Sequence, residues 1–384
     1  MDSTAKKSYL SRRKFIILLF VGLGSLLAAI AAIPKRFFMW FIVGRRMPSE
    51  REVLAKIVAE LPPERRFPCG DEKAKVVVAR HSYLYWEQES ATVPGGWMGR
   101  PDLTNVRCML DSALVNLTGT RAVPDAYRTL FSPDDRVAIK VLWTVHLPIL
   151  DPILRGLLSI GIPPENICMM DFRQLAHPWY EKPPQEVRLL AREPGEVYFN
   201  TYCRQYGVKT AGGDYSHRWE SVGSLQTQLE QKLYDCTALI NVATLKTHYL
   251  AETTLCLKNL QGSHLKPYLL HASLDVSLAL LNNLAPIREK TRLAVLDATA
   301  PLYDQGPQTN NSISSWKYNG VIVGRDPVAV DTVGVSIIAD KRREMGLDHT
   351  LPRSHDLLTN AEKLRLGRHD PAWIERIDID CGQA

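Results

Sequence analysis

The sequence predicts an α/β fold, a mainly parallel twisted sheet with helices on both faces, preceded by an N-terminal membrane helix. Three observations carry that prediction. From residue 75 onward, short β-branched runs alternate with amphipathic helical stretches, the pattern of βαβ units. The composition is 45% apolar, 23% charged and 8% aromatic over 384 residues, which supplies a large core and excludes disordered, collagenous and coiled-coil classes. A charge-free apolar run at residues 16–33 stands apart from everything after it.

The N-terminal element comes first. Ser11-Arg12-Arg13-Lys14-Phe15-Ile16 leads into the apolar run. This leader is similar to the twin-arginine signal, S-R-R-x-F-L-K, and departs from it at Ile16 and Ile17. As a helix, residues 16–33 would be about 27 Å long, near the roughly 30 Å hydrocarbon core. An uncleaved anchor and a removed signal both fit. The length favours the anchor, and Ala29-Ile30-Ala31 offers a cleavage motif. An aromatic stretch at residues 37–43, bracketed by Lys35-Arg36 and Arg45-Arg46, is too short to span a bilayer and suits its interface. Residues 1–46 hold nine Lys/Arg against the single acid Asp2, more than the whole net charge of +6. The rest of the chain is therefore near neutral, and no nucleic-acid partner is expected. The twin-arginine likeness sets the orientation: body on the extracytoplasmic side of the cytoplasmic membrane, partner membrane reached through one N-terminal helix. Residues 47–74, rich in charge and proline with one helix at 49–61, read as a stalk.

The α/β domain then spans 75–384. Strands are expected at 75–79, 136–141, 166–170, 238–242, 292–296 and 320–323. Helices are expected at 107–117, 151–160, 271–284 and 327–340. Polar residues follow the strands: Arg80 and His81, Trp143 and His146, Asp171, Lys246 and His248, then Asp297. Open α/β sheets bind ligands at the carboxyl ends of their strands, so these residues can face one crevice. For Asp171 and Asp297 a turn or helix cap reads equally well. Asp326-Pro327 is a helix-start signal, with Asp331 on the solvated face of that helix. The seven cysteines are scattered without a C-x-x-C pair, so neither a zinc or iron–sulfur site nor a disulfide framework can be read from them.

The densest polar cluster runs from Asn241 through Lys246, Thr247 and His248, and continues at Lys258, Asn259, Gln261 and His264. A lysine suits a point anionic group such as phosphate or carboxylate, and a histidine can move a proton. The candidate site is therefore Lys140, Lys246, Lys258 and Asn259 as ligand-binding residues, with His248 and Asp297 as catalytic acid or base. The bland alternative has the lysines snorkelling and His248 satisfied in a turn. The spacing of His248, His264 and His271 is no known metal signature, and the sequence names neither a metal nor a cofactor. Neither G-x-G-x-x-G, a P-loop nor a G-x-S-x-G elbow occurs.

Several of these stretches resemble a bacterial and archaeal family called domain of unknown function 362. They are Lys246-Thr247-His248, Leu257-Lys258-Asn259-Leu260-Gln261-Gly262, Leu296-Asp297-Ala298-Thr299-Ala300 leading to Gly306-Pro307, and the stretch from Gly324 to Asp331. Residues 137–140 look like the family's early strand ending in lysine, although Lys140-Val141-Leu142 replaces its usual Lys-Pro-Asn. Leu366-Gly367-Arg368-His369-Asp370 and Trp373-Ile374 are also similar. The resemblance implies a fold over residues 75–384 more than an activity. Some members carry iron–sulfur segments or twin-arginine signals, and this chain lacks the cluster-binding cysteines. Two functions follow as expectations. One is an exported, membrane-anchored enzyme or cofactor-handling protein that binds an anionic small molecule. The other is a non-catalytic accessory subunit of a membrane redox complex, docking through aromatic loops at residues 81–97 and 177–180.

Overall fold

The computed structural model describes residues 48–84, 86–87, 100–142, 144–170, 205–211, 213–265, 267–306 and 314–382. The leader and apolar run at 1–46, Tyr85, Trp97, Trp143, Asp171 and the aromatic stretch 177–180 lie outside them. Among the described residues no helix is long and apolar enough to cross a membrane.

In chain order the elements are α1 (Glu50–Ala59), β1 (Ala74–Arg80), β2 (Trp86–Glu87), β3 (Arg100–Pro101), α2 (Leu103–Thr118), α3 (Val123–Leu130), β4 (Val137–Val141), α4 (Leu150–Ser159), β5 (Ile167–Met170), β6 (Lys209–Ala211), β7 (Glu220–Val222) and β8 (Leu225–Thr227). There follow α5 (Gln231–Asp235), β9 (Ala238–His248), β10 (Glu252–Thr254), α6 (Cys256–Asn259), α7 (Leu274–Asn282), α8 (Ala285–Arg288), β11 (Thr291–Leu302), β12 (Gly320–Gly324), α9 (Pro327–Glu344), α10 (Pro352–Lys363) and β13 (Ile374–Asp380).

The central sheet runs β13-β1-β12-β11-β9-β4-β5-β6, with β10 added to the end of β9. Neighbours are parallel except β12, antiparallel to both β1 and β11, and β10, antiparallel to β9. The sheet is thus mostly parallel, and its central strands β4, β9 and β12 are buried along their whole length, as a covered sheet requires. Strand alternation divides the core in two. Val76, Val78, Ala138, Leu239, Ala243, Ala294 and Leu296 pack under α1, α7, α9 and α10. Val77, Ala79, Val137, Ile139, Ile240, Val242, Leu293 and Val295 pack under α2, α3 and α4.

Local chemistry fixes the helix ends. Asp102 caps α2 by accepting from the Asn105 N–H at 2.9 Å. Asp326 caps α9 by accepting from Val328 and Ala329 N–H, with Pro327 in the first turn, as the sequence signalled.

Three findings depart from the sequence reading. Of residues 47–74, read as a stalk, those from Glu50 onward belong to the compact unit and pack on the body. Leu54 of α1 joins the core, Arg51 pairs with Asp275 at 3.1 Å, Ser224 Oγ donates to Glu50 Oε1 at 2.6 Å, and Arg368 sits 3.6 Å over the Phe67 ring. Glu50, Arg51 and Arg65, three of the charges that suggested a solvated spacer, find partners on the body. Second, β9 and β11 run past the expected ends at 242 and 296 to His248 and Leu302. The strand continues because β10 folds back on it, pairing Thr254 with Lys246 and Glu252 with His248. Third, Asp331 is buried rather than solvated: its two oxygens accept from Cys256 and Leu257 N–H, each at 2.8 Å, capping α6 from α9. The six described cysteines are free thiols.

Candidate functional site

The carboxyl ends of β4, β9 and β11 lie side by side in the sheet. All six residues expected at the site stand in or next to these strands, in three groups.

The first group ties the strands together. Lys140, 1% exposed, donates from Nζ to Val141 O at 2.9 Å and to Asn259 Oδ1 at 3.2 Å. The Asn259 amide lies within donating distance of Asn241 Oδ1 at 2.8 Å and of Lys140 O and Val242 O, each at 3.1 Å. Asn241 in turn donates to Cys256 O at 2.8 Å. Alternation along β4 puts Lys140 on the side of Ala138, the face covered by α6 and α9. These amides give backbone carbonyls at the end of the sheet side-chain donors, and Val242 O also accepts from Leu142 N–H at 2.9 Å.

The second group is cationic. Lys258 donates from Nζ to the neutral oxygen Gln261 Oε1 at 2.6 Å, and among the described residues no carboxylate pairs with it. Burial pushes its ammonium down to about 8. The positive charges of Lys258, His271 and Lys246 act on His248, whose ring lies 6.2 Å from that of His271. Burial first, and then those charges, push His248 down to about 2, so the ring is neutral. Its tautomer follows from two bonds. Nδ1 accepts from Leu250 N–H at 3.1 Å and Ala251 N–H at 3.3 Å, which leaves the ring proton on Nε2. Here His248 is a hydrogen-bond donor and not a base. The turn after β11 closes against this end of β9. Gly306 N donates to Thr247 Oγ1 at 3.2 Å, and a Cβ on Gly306 would meet Thr247 O at 1.8 Å, so only glycine allows the approach.

The third group is anionic at its centre. Asp297 is fully buried, and each carboxylate oxygen meets two donors. His146 N–H and His146 Nδ1 both bond Oδ2 at 2.8 Å; Thr299 N–H at 3.0 Å and Thr299 Oγ1 at 2.6 Å bond Oδ1. Burial acts to raise this carboxyl, but the His146 charge and these bonds outweigh it and hold Asp297 below the usual carboxylate range. His146 follows β4, and its side chain keeps 16% exposure where that of Asp297 has none. Between them, Thr144 and Thr244 share a 2.8 Å hydroxyl bond. The sequence placed His146 after a strand but gave no sign that its partner stood 151 residues on.

His264, considered as a metal ligand, belongs elsewhere: its Nδ1 donates to Leu265 O at 2.9 Å and lies 3.0 Å from Thr227 Oγ1. Among the described residues no three His, Cys, Asp or Glu side chains converge as a metal site.

Residues 196–336 match a protein family described as Domain of unknown function (DUF362). That stretch carries Lys246, His248, Lys258, Asn259 and Asp297, while Lys140 and His146 precede it. No curated protein matches the chain.

Proposed function

We propose that the chain is an exported, membrane-anchored protein that binds an anionic small molecule at the carboxyl ends of β4, β9 and β11. The observation that carries the anion is the ammonium of Lys258, partly buried against a neutral amide with no carboxylate beside it among the described residues. A buried cation is stable only when something compensates it, and a ligand carboxylate or phosphate does so. In this reading Lys258 and Lys246 hold the anion, His248 donates from Nε2, and Lys140 and Asn259 hold the strand ends that carry them. The roles first expected of His248 and Asp297 thereby change: His248 binds, and Asp297 acts through His146. Export and anchoring rest on the Arg12-Arg13 leader and the apolar run at residues 16–33.

Calorimetric titration of the full chain, purified in detergent, with orthophosphate and separately with succinate tests the reading and separates the two anion chemistries. One of them binds, and Lys258→Gln weakens it at least about tenfold, roughly 1.4 kcal/mol. Heat for neither anion sinks the proposal.

A second reading, an accessory subunit of a membrane redox complex, is favoured by the exposed aromatics Tyr83, Trp219 and Tyr249. It predicts that Tyr83→Ala or removal of residues 1–46 disrupts complexes recovered from membranes, while Lys258→Gln leaves them intact.

A further inference from the structure

We propose that His146 is the proton-transfer residue of this site and Asp297 its positioning residue, an assignment that rests on the anion-binding reading. The geometry is specific. Asp297 takes both the backbone N–H and the ring Nδ1 of His146 on one oxygen, while Thr299 fills the other. An ionised carboxylate held by four donors is a fixed acceptor, so the ring proton stays on Nδ1. Thr299 Oγ1, 3.0 Å from Nδ1, reinforces that tautomer. Proton exchange with any substrate then runs through Nε2. This is the arrangement by which an orienting carboxylate prepares an imidazole base and stabilises the imidazolium it becomes.

Position agrees with role. Asp297 pairs in register with Thr244 of β9, and Thr244 bonds Thr144, two residues before His146. The pair thus straddles three parallel strand ends, where open α/β sheets carry their chemistry. Lys246 follows Thr244 by two residues and shares its side of β9 by alternation. The step is a proton abstraction. The substrate's X–H bond breaks, the proton moves to Nε2, and the bonding pair stays on X as an anion. No oxidant or reductant enters. A merely structural Asp297 would tie the loop after β4 to β11 and require no particular tautomer.

Diethyl pyrocarbonate, which acylates an unprotonated imidazole nitrogen, distinguishes the two roles in the full-length protein. In wild type, at a pH high enough for the ring to be neutral, peptide mapping should find His146 modified, and ¹⁵N spectra of histidine-labelled protein should show its Nε2 unprotonated. Asp297→Asn turns an amide NH₂ toward Nδ1 and drives the ring proton to Nε2, so the His146 rate should fall at least about tenfold while the melting transition persists. An unreactive His146 in wild type, a proton found on Nε2, or an unchanged rate in folded Asp297→Asn overturns the assignment. The wild-type spectra decide the matter even if the variant fails to fold. Phosphate titration of the same wild-type sample keeps the two proposals apart: missing anion heat with a reactive His146 counts against the anion site, and the reverse counts against the proton-transfer role.

Discussion

At the scale of single residues, what decides function here is which hydrogen bonds a titratable group already has. His248 and His146 are both histidines at strand ends, yet their Nδ1 atoms do opposite things. In His248 Nδ1 accepts from two backbone N–H groups, whereas in His146 it bonds a buried carboxylate. One ring is left a donor and the other an acceptor. The sequence showed Lys246 and Lys258 through local clustering and Lys140 and Asp297 through their places at strand ends, but a tautomer is set by partners that contiguity does not reveal. A pH prediction follows. Anion binding needs the Lys258 ammonium, whose value of about 8 means that charge is present below pH 8 and lost above it. Affinity measured by titration should therefore fall as pH rises through 8. His248, pushed down to about 2, stays neutral throughout, so no inflection should appear near pH 6.5. An inflection there, abolished by His248→Gln, would contradict the tautomer assigned to this ring.

At the scale of elements, the strands and helices with strong periodicity were legible, and those held by distant partners were not. β-branched runs marked β1, β4, β5, β9, β11 and β12 because central strands bury both faces. β13, Ile374–Asp380, alternates isoleucine with charge and is largely exposed, so it reads as surface until it pairs with β1. The short helix α6, carrying Lys258 and Asn259, depends on Asp331 of α9 for its cap, a contact across 75 residues. Asp331→Ala should strand two buried N–H groups at about 1–3 kcal/mol each. Chemical denaturation should show a loss in that range or larger, with Asp331→Asn less harmful because one acceptor remains. A loss under about 1 kcal/mol for Asp331→Ala would mean that α6 does not rely on this cap.

At the scale of the whole molecule, charge separates the N-terminal segment from the body: the nine cations of residues 1–46 precede a chain that is otherwise near neutral. Replacing Arg12-Arg13 with Lys-Lys should leave the body protected from protease added outside spheroplasts, whereas the wild-type body should be digested. Protease accessibility unchanged by the replacement would remove the twin-arginine route from the account. The central claim, however, is that Lys258, partly buried and without a carboxylate partner among the described residues, binds an anion, and one measurement addresses it directly. An anion that pairs with a lysine titrating at about 8 must draw a proton onto that lysine when it binds at pH 8. Calorimetry of the full-length protein at pH 8, repeated in two buffers of different ionisation enthalpy, counts protons taken up from the medium. With succinate, fully ionised at that pH, net uptake in wild type and its disappearance in Lys258→Gln is the predicted result; where orthophosphate is the anion that binds, the same difference between wild type and variant is read against its own titration. Binding with no difference in protons between wild type and Lys258→Gln would contradict it.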